Sequence, residues 1–170
     1  MKLSLVVVVF LLLILGCSTK RNVPGLRPLL LSQLKYTHTE KDWFVPVKLA
    51  VAGVTAEQAK WKDGPNNHSI EELVSHLIFW NERVMIAFKG KNLPDFKSDN
   101  DSTFDILDTA NWMDATKKLD SIQKEWEHSV ERATEKELLE WSDTIASICA
   151  HNAYHTGQII YIRKQNGWWE

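Results

Sequence analysis

Cysteine is nearly absent from this chain, which has two in 170 residues. Cys17 closes an apolar leader, so Cys149 stands alone in the remainder and an internal disulfide is excluded. The fold must therefore rest on its core even in an oxidising compartment. A charge excess is missing too: 20 Lys and Arg face 22 Asp and Glu, for a formal net charge of −2. The basic residues are scattered and form no stripe, which removes the usual electrostatic footprint of a nucleic-acid-binding surface. Nor is there an alternating period-two run bounded by turn residues, so an extensive sheet is not expected. What the chain has instead is tryptophan, eight residues of it, which favours a well-filled core.

Met1 and Lys2 give a small positive start, and Leu3 to Leu15 follow almost entirely apolar. That run falls short of the ~20 residues a transmembrane helix needs, and it has the layout of an export signal. Its end, "ILGC" at 14–17, resembles the lipobox of bacterial lipoproteins, in which processing leaves a lipid-bearing cysteine at the new N-terminus. The expected organisation is a signal peptide over 1–16, a lipidated Cys17 with a polar tether over 17–27, and one domain over 28–170. The expected location is the bacterial cell envelope, outside the cytoplasm and anchored by lipid. A domain of about 140 residues buries roughly two thirds of its unfolded-chain surface without help from a second domain.

Four helices are expected. The first spans about Leu29–Ala52, with Leu30, Leu34, Trp43, Val47 and Val51 as its buried face and a kink at Pro46. Gly53 ends it, and a turn-rich crossing follows in which Trp61 is placed to pack on the core. The second opens at Ser69, whose spacing to Glu72 is a capping box, and carries Ile70, Leu73, Val74, Leu77, Trp80, Val84 and Phe88 at helical spacing. A polar loop from about Lys89 to Asp101 lacks the ligand spacing of a calcium loop, so its acids are read as caps, Asp101 or Ser102. The third helix covers about Asp108–Ala133, along Trp112, Ala115, Leu119, Ile122, Trp126 and Val130. A capping box at Thr134–Glu137 starts one short turn, and the fourth helix covers about Thr144–Gln165. These elements make an all-α four-helix bundle, an architecture that hosts metal and ligand sites between facing helices.

His151 and His155 are four apart on the last helix and share a face, the arrangement by which a helix offers two nitrogens to one metal ion. Two imidazoles do not close a site, and a hydrogen-bonded pair fits the same spacing. His38, His68 and His128 lie on polar stretches and read as solvated or capping residues. His76 sits among Leu73, Leu77 and Trp80 at the edge of a buried stripe, either as a hydrogen-bonded core histidine or as a third ligand. Burying three imidazoles is costly unless a shared cation uses their lone pairs. Cys149, about 200° around the helix from His151, faces away and reads as a packing residue.

The segments "HSIEELVSHLIFWNERV" (68–84) and "HNAYHTGQIIYIRKQNG" (151–167), with "DWFVPVKLAVAGVTAEQAKWK" (42–62), resemble the DinB-like superfamily of metal-binding four-helix bundles. The resemblance implies that His76, His151 and His155 are ligands of a divalent transition metal such as zinc, nickel or iron. It also implies a range of functions: thiol-dependent S-transferases, metal-dependent hydrolases and members without an assigned activity. The export signal departs from the cytoplasmic thiol transferases. An enzyme with an open coordination position and a non-catalytic metal- or ligand-binding module both remain open. In the enzyme reading Glu72, one turn before His76, is the candidate catalytic residue that orients that imidazole or takes a proton, and Tyr154 or Gln158 holds substrate. The expected partners are an unidentified small molecule and, through the lipid, a membrane, with no nucleic acid. The oligomeric state is open, a homodimer included.

Overall fold

A computed structural model describes residues 25–105 and 111–169. The leader, Cys17 and most of the tether lie outside the described residues. All regular structure among the described residues is helical: α1 (Leu26–His38), α2 (Val47–Val51), α3 (Ala56–Lys60), α4 (Ile70–Phe88), a 3-10 turn (Asn100–Phe104), α5 (Trp112–Arg132) and α6 (Glu135–Gln165). No strand occurs among the described residues. The four long helices form the bundle, with α1 and α4 each packed against both α5 and α6. No described helix is long and apolar enough to cross a membrane.

Helical spacing of apolar residues explains the packing. The α4 stripe puts Ile70, Leu73, Val74 and Leu77 in the core, and every expected inward residue of α5 from Trp112 to Val130 is buried. Trp126 has no exposed surface and donates its indole N–H to the Asn81 carbonyl at 3.3 Å. Full burial of each such side chain contributes about 1.5–3 kcal/mol before the entropy of ordering it is subtracted. Capping boxes start α4 at Ser69 and α6 at Thr134, as their spacing indicates.

Two helices differ from expectation. The first does not run from Leu29 to Ala52: α1 stops at His38, and Pro46 is the N-cap of the separate α2 instead of a kink. Proline disfavours helical backbone in the residue before it and has no N–H for the preceding turn, so the chain breaks there. Trp43 falls in that break and is 93% exposed, not buried. Conversely, the short turn at Thr134 and the helix expected from Thr144 are one 31-residue α6. Leu138, Ile145 and Ile148 are buried along one continuous stripe, with Trp141 packed against the core and no Gly or Pro between Glu135 and Ile148 to interrupt it. In the loop after α4 the cap is Asp99, which accepts from the Asp101 N–H, while Asn111 caps α5. Trp61 meets Trp168 edge to face, at a centroid distance of 5.9 Å.

Candidate metal centre

His76 projects from the middle of α4 and is buried; His151 and His155 project from α6, with His155 buried and His151 half-buried. One ring nitrogen from each lies within 4.8 Å of the others. His76 Nε2 is 3.0 Å from His151 Nε2, and the His155 ring stands edge-on to both neighbours at centroid distances of 4.7 and 4.6 Å. Among the described residues no fourth His, Cys, Asp or Glu joins the cluster.

The outer hydrogen bonds set the direction of the lone pairs. The Thr103 hydroxyl donates to the Asn100 carbonyl at 2.6 Å, so its oxygen accepts from His76 Nδ1 at 2.5 Å. His155 Nδ1 donates to Gln158 Oε1 at 2.6 Å. With protons on Nδ1, both rings turn Nε2 lone pairs inward, the tautomer that suits a metal ligand. His151 meets no carbonyl or carboxylate: its Nδ1 is buried without a partner, and its Nε2 faces only His76. Burial, followed by the repulsion of His155, His151 and His68, lowers the His76 pKa to about 3. Burial and His155 lower His151 to about 4, and burial also lowers His155, against the Gln158 hydrogen bond. Three neutral imidazoles, two of them with Nε2 lone pairs turned inward, fit a divalent transition metal, which favours imidazole where magnesium and calcium favour oxygen.

A buried amide pair holds the two ligand helices in register. Asn81 on α4 donates to Asn152 Oδ1 at 2.7 Å, and Asn152 returns a bond to Asn81 Oδ1 at 3.2 Å. Both side chains have no exposed surface. Asn152 adjoins His151, so this clasp fixes the height of α6 against α4 where the histidines meet.

Glu72 does not orient His76. One of its oxygens accepts the Ser69 N–H at 2.7 Å in the capping box, and the other pairs with Lys62 at 2.5 Å. Burial works upward on its pKa, but the bonds from Lys62 and Ser69 outweigh it and leave the group lowered. His68 is not merely a turn residue: its ring stacks on Phe104 at 3.6 Å, Phe104 stacks on His76 at 4.0 Å, and all three line one pocket. Neither stacking nor the Thr103 bond had a local signal in sequence, because the 3-10 turn that carries Thr103 and Phe104 lies 27 residues or more beyond His76.

His38 also departs from expectation. It is buried, with Nδ1 2.6 Å from Glu127 and Nε2 3.0 Å from Asp120, while His128 is exposed as expected. Asp120 is desolvated, which raises its pKa, yet hydrogen bonds from Lys124, His38 and Lys48 hold it well below the usual carboxylate range. Cys149 is buried away from the site, and burial pushes its thiol up to about 12, as befits a packing residue. Tyr154 is 64% exposed at the rim, 3.5 Å from Gln158 Nε2.

The histidines face a pocket of about 630 Å³ open to solvent, walled by Trp80, Val84, Phe104 and Ile148. A helical bundle with three histidines converging beneath an open pocket defines a class of protein suited to hold a metal with coordination positions to spare. The particular family follows from comparison: the family model of the DinB superfamily matches residues 47–159, and the chain belongs to that superfamily. No curated protein and no solved structure matches it.

Proposed function

We propose that this is an exported, lipid-anchored protein of the bacterial cell envelope whose three-histidine site holds one divalent transition metal, zinc, nickel or iron, and acts on a small molecule. Hydrolysis is favoured over thiol transfer, because water is always available outside the cytoplasm. The observation that carries the reading is the convergence of His76, His151 and His155 beneath the open pocket, with no further protein ligand among the described residues. When bound, the metal supplies Lewis acidity and lowers the pKa of a nucleophile brought to it.

The chain's own residues do the rest. Thr103 and Gln158 keep the Nδ1 protons of His76 and His155 turned outward. Phe104 and Trp80 shield one side of the site from water, and the exposed Tyr154 hydroxyl stands at the rim, placed to meet substrate. Glu72 is engaged elsewhere, so a proton released at the site would pass to solvent or to a pocket-lining group, His68 or Asp101.

Cobalt substitution tests the open position. Azide added to the cobalt-loaded protein should shift its visible absorption bands, and the His155→Ala variant should lose both cobalt and turnover of ester substrates. A cobalt spectrum indifferent to azide would sink the catalytic reading and leave a non-catalytic binding module.

A further inference from the structure

The pocket does not end at the imidazoles. Trp80, Val84 and Thr144 line it, and the same three residues line a second cavity of about 520 Å³. The two cavities therefore adjoin along α4 and α6. From His76 to Ala87 the α4 wall advances eleven residues, on the order of 16 Å at 1.5 Å each. Such a length exceeds what a small polar molecule needs and suits an elongated one.

The two ends differ in charge. Beside the histidines the lining includes one acid, Asp101. The far lobe has Arg83 and Lys91 and no acidic side chain. Arg83 is held in place, its guanidinium 5.7 Å from the Phe96 ring centroid and donating to the Pro94 carbonyl. Lys91 is exposed and has no carboxylate partner among the described residues. The remaining walls are largely apolar, formed chiefly by Trp80, Val84, Ala87 and Trp141. Apolar walls with a few convergent polar groups are what a small-molecule site presents, the polar groups setting the ligand's orientation.

We infer that the two cavities join into one groove and that the substrate is an elongated small molecule with an apolar body and one anionic end. The anion lies at Arg83 and Lys91, the body crosses Trp80 and Val84, and the reacting group reaches the histidines. This inference rests on the metal-site reading for its reacting end, while the anion subsite stands on the groove alone. A like-charged end would meet repulsion at Arg83 and Lys91, so the groove also discriminates against cationic amphiphiles.

The test titrates the purified zinc-loaded protein with 1-octanesulfonate, 1-octanol and octylammonium. The sulfonate is chosen because it is a poor metal ligand. The readout is the indole N–H resonances of Trp80 and Trp141, assigned with Trp80→Phe and Trp141→Phe. Octanesulfonate should bind tightest and octylammonium weakest. Lys91→Glu, at an exposed position that does not support the core, should weaken the sulfonate roughly fivefold and leave octanol unchanged. Equal affinity for all three probes, or sulfonate binding indifferent to Lys91→Glu, would overturn the inference. Metal analysis of the same samples separates the two readings. Metal uptake without charge preference sinks only the groove, whereas charge-selective binding by protein that takes up none of zinc, nickel or iron supports the anion subsite and sinks the metal site.

Discussion

The three imidazoles are held by different neighbours, and each neighbour carries its own consequence. Thr103 keeps the His76 proton on Nδ1, so Thr103→Val should weaken metal affinity about 10–100-fold while the helical content measured by circular dichroism stays the same. Acid should act on the same groups without metal. Burial and neighbouring imidazoles hold His76 at about 3 and His151 at about 4, whereas an unfolded histidine titrates at about 6.5. Between those values the unfolded chain binds more protons, so stability rises with pH across the window and is lost as pH falls through it. In chelator, the melting temperature should hold above about pH 7 and fall from about 6.5 to 5, ahead of most carboxylate titration. A flat profile there would contradict burial of neutral histidines. At this scale the sequence was legible where a signal is local. The four-residue spacing paired His151 with His155, and the apolar neighbours of His76 marked it as buried. Glu72 shows the opposite: a carboxylate that closes a capping box with Ser69 is already turned back toward the helix start, and the Ser69 spacing that disclosed the box also argued against a second task at His76. The burial of His38 depends on Asp120 and Glu127, 82 and 89 residues away, and no local pattern disclosed it.

At the scale of elements, the site depends on α4 and α6 meeting at one height. Asn81 and Asn152 set that height through two reciprocal bonds in a place where neither amide reaches water. Replacing one leaves the other buried and unsatisfied, at a cost of about 1–3 kcal/mol. Asn81→Leu should therefore lower the denaturant midpoint and also weaken metal binding, because α6 is freed to shift against α4. Unchanged metal affinity in a destabilised Asn81→Leu variant would show that the clasp supports the core alone. Regular stripes made α4 and α5 readable, whereas α1 and α6 were misjudged for opposite reasons. Apolar residues on both sides of Pro46 suggested one continuous helix, although the backbone breaks before the proline. The capping box at Thr134 suggested only one short turn before a helix from Thr144, although tertiary packing of Leu138, Trp141 and Ile145 carries one helix through.

For the whole molecule, the bundle presents its histidine pocket between α4 and α6, and the N-terminal end of α1 is fastened elsewhere. Arg27 donates to the Val130 and Glu131 carbonyls and pairs with Glu135, tying the start of α1 to the corner between α5 and α6. Seven residues separate Cys17 from Gly25 and the span reaches at most about 30 Å, so a lipid on Cys17 would hold the bundle close to the membrane surface. Under that proposal Cys17→Ala should abolish acylation and release the protein from the membrane fraction, as read by mass spectrometry and fractionation. An unmodified Cys17 in the mature native protein would remove the tether. The central claim is the metal itself, and elemental analysis of the purified protein tests it most directly. The expected result is one divalent transition metal per chain in the native protein and none in a folded variant with His76, His151 and His155 all replaced by alanine. Stoichiometric metal retained by that folded variant would contradict the account.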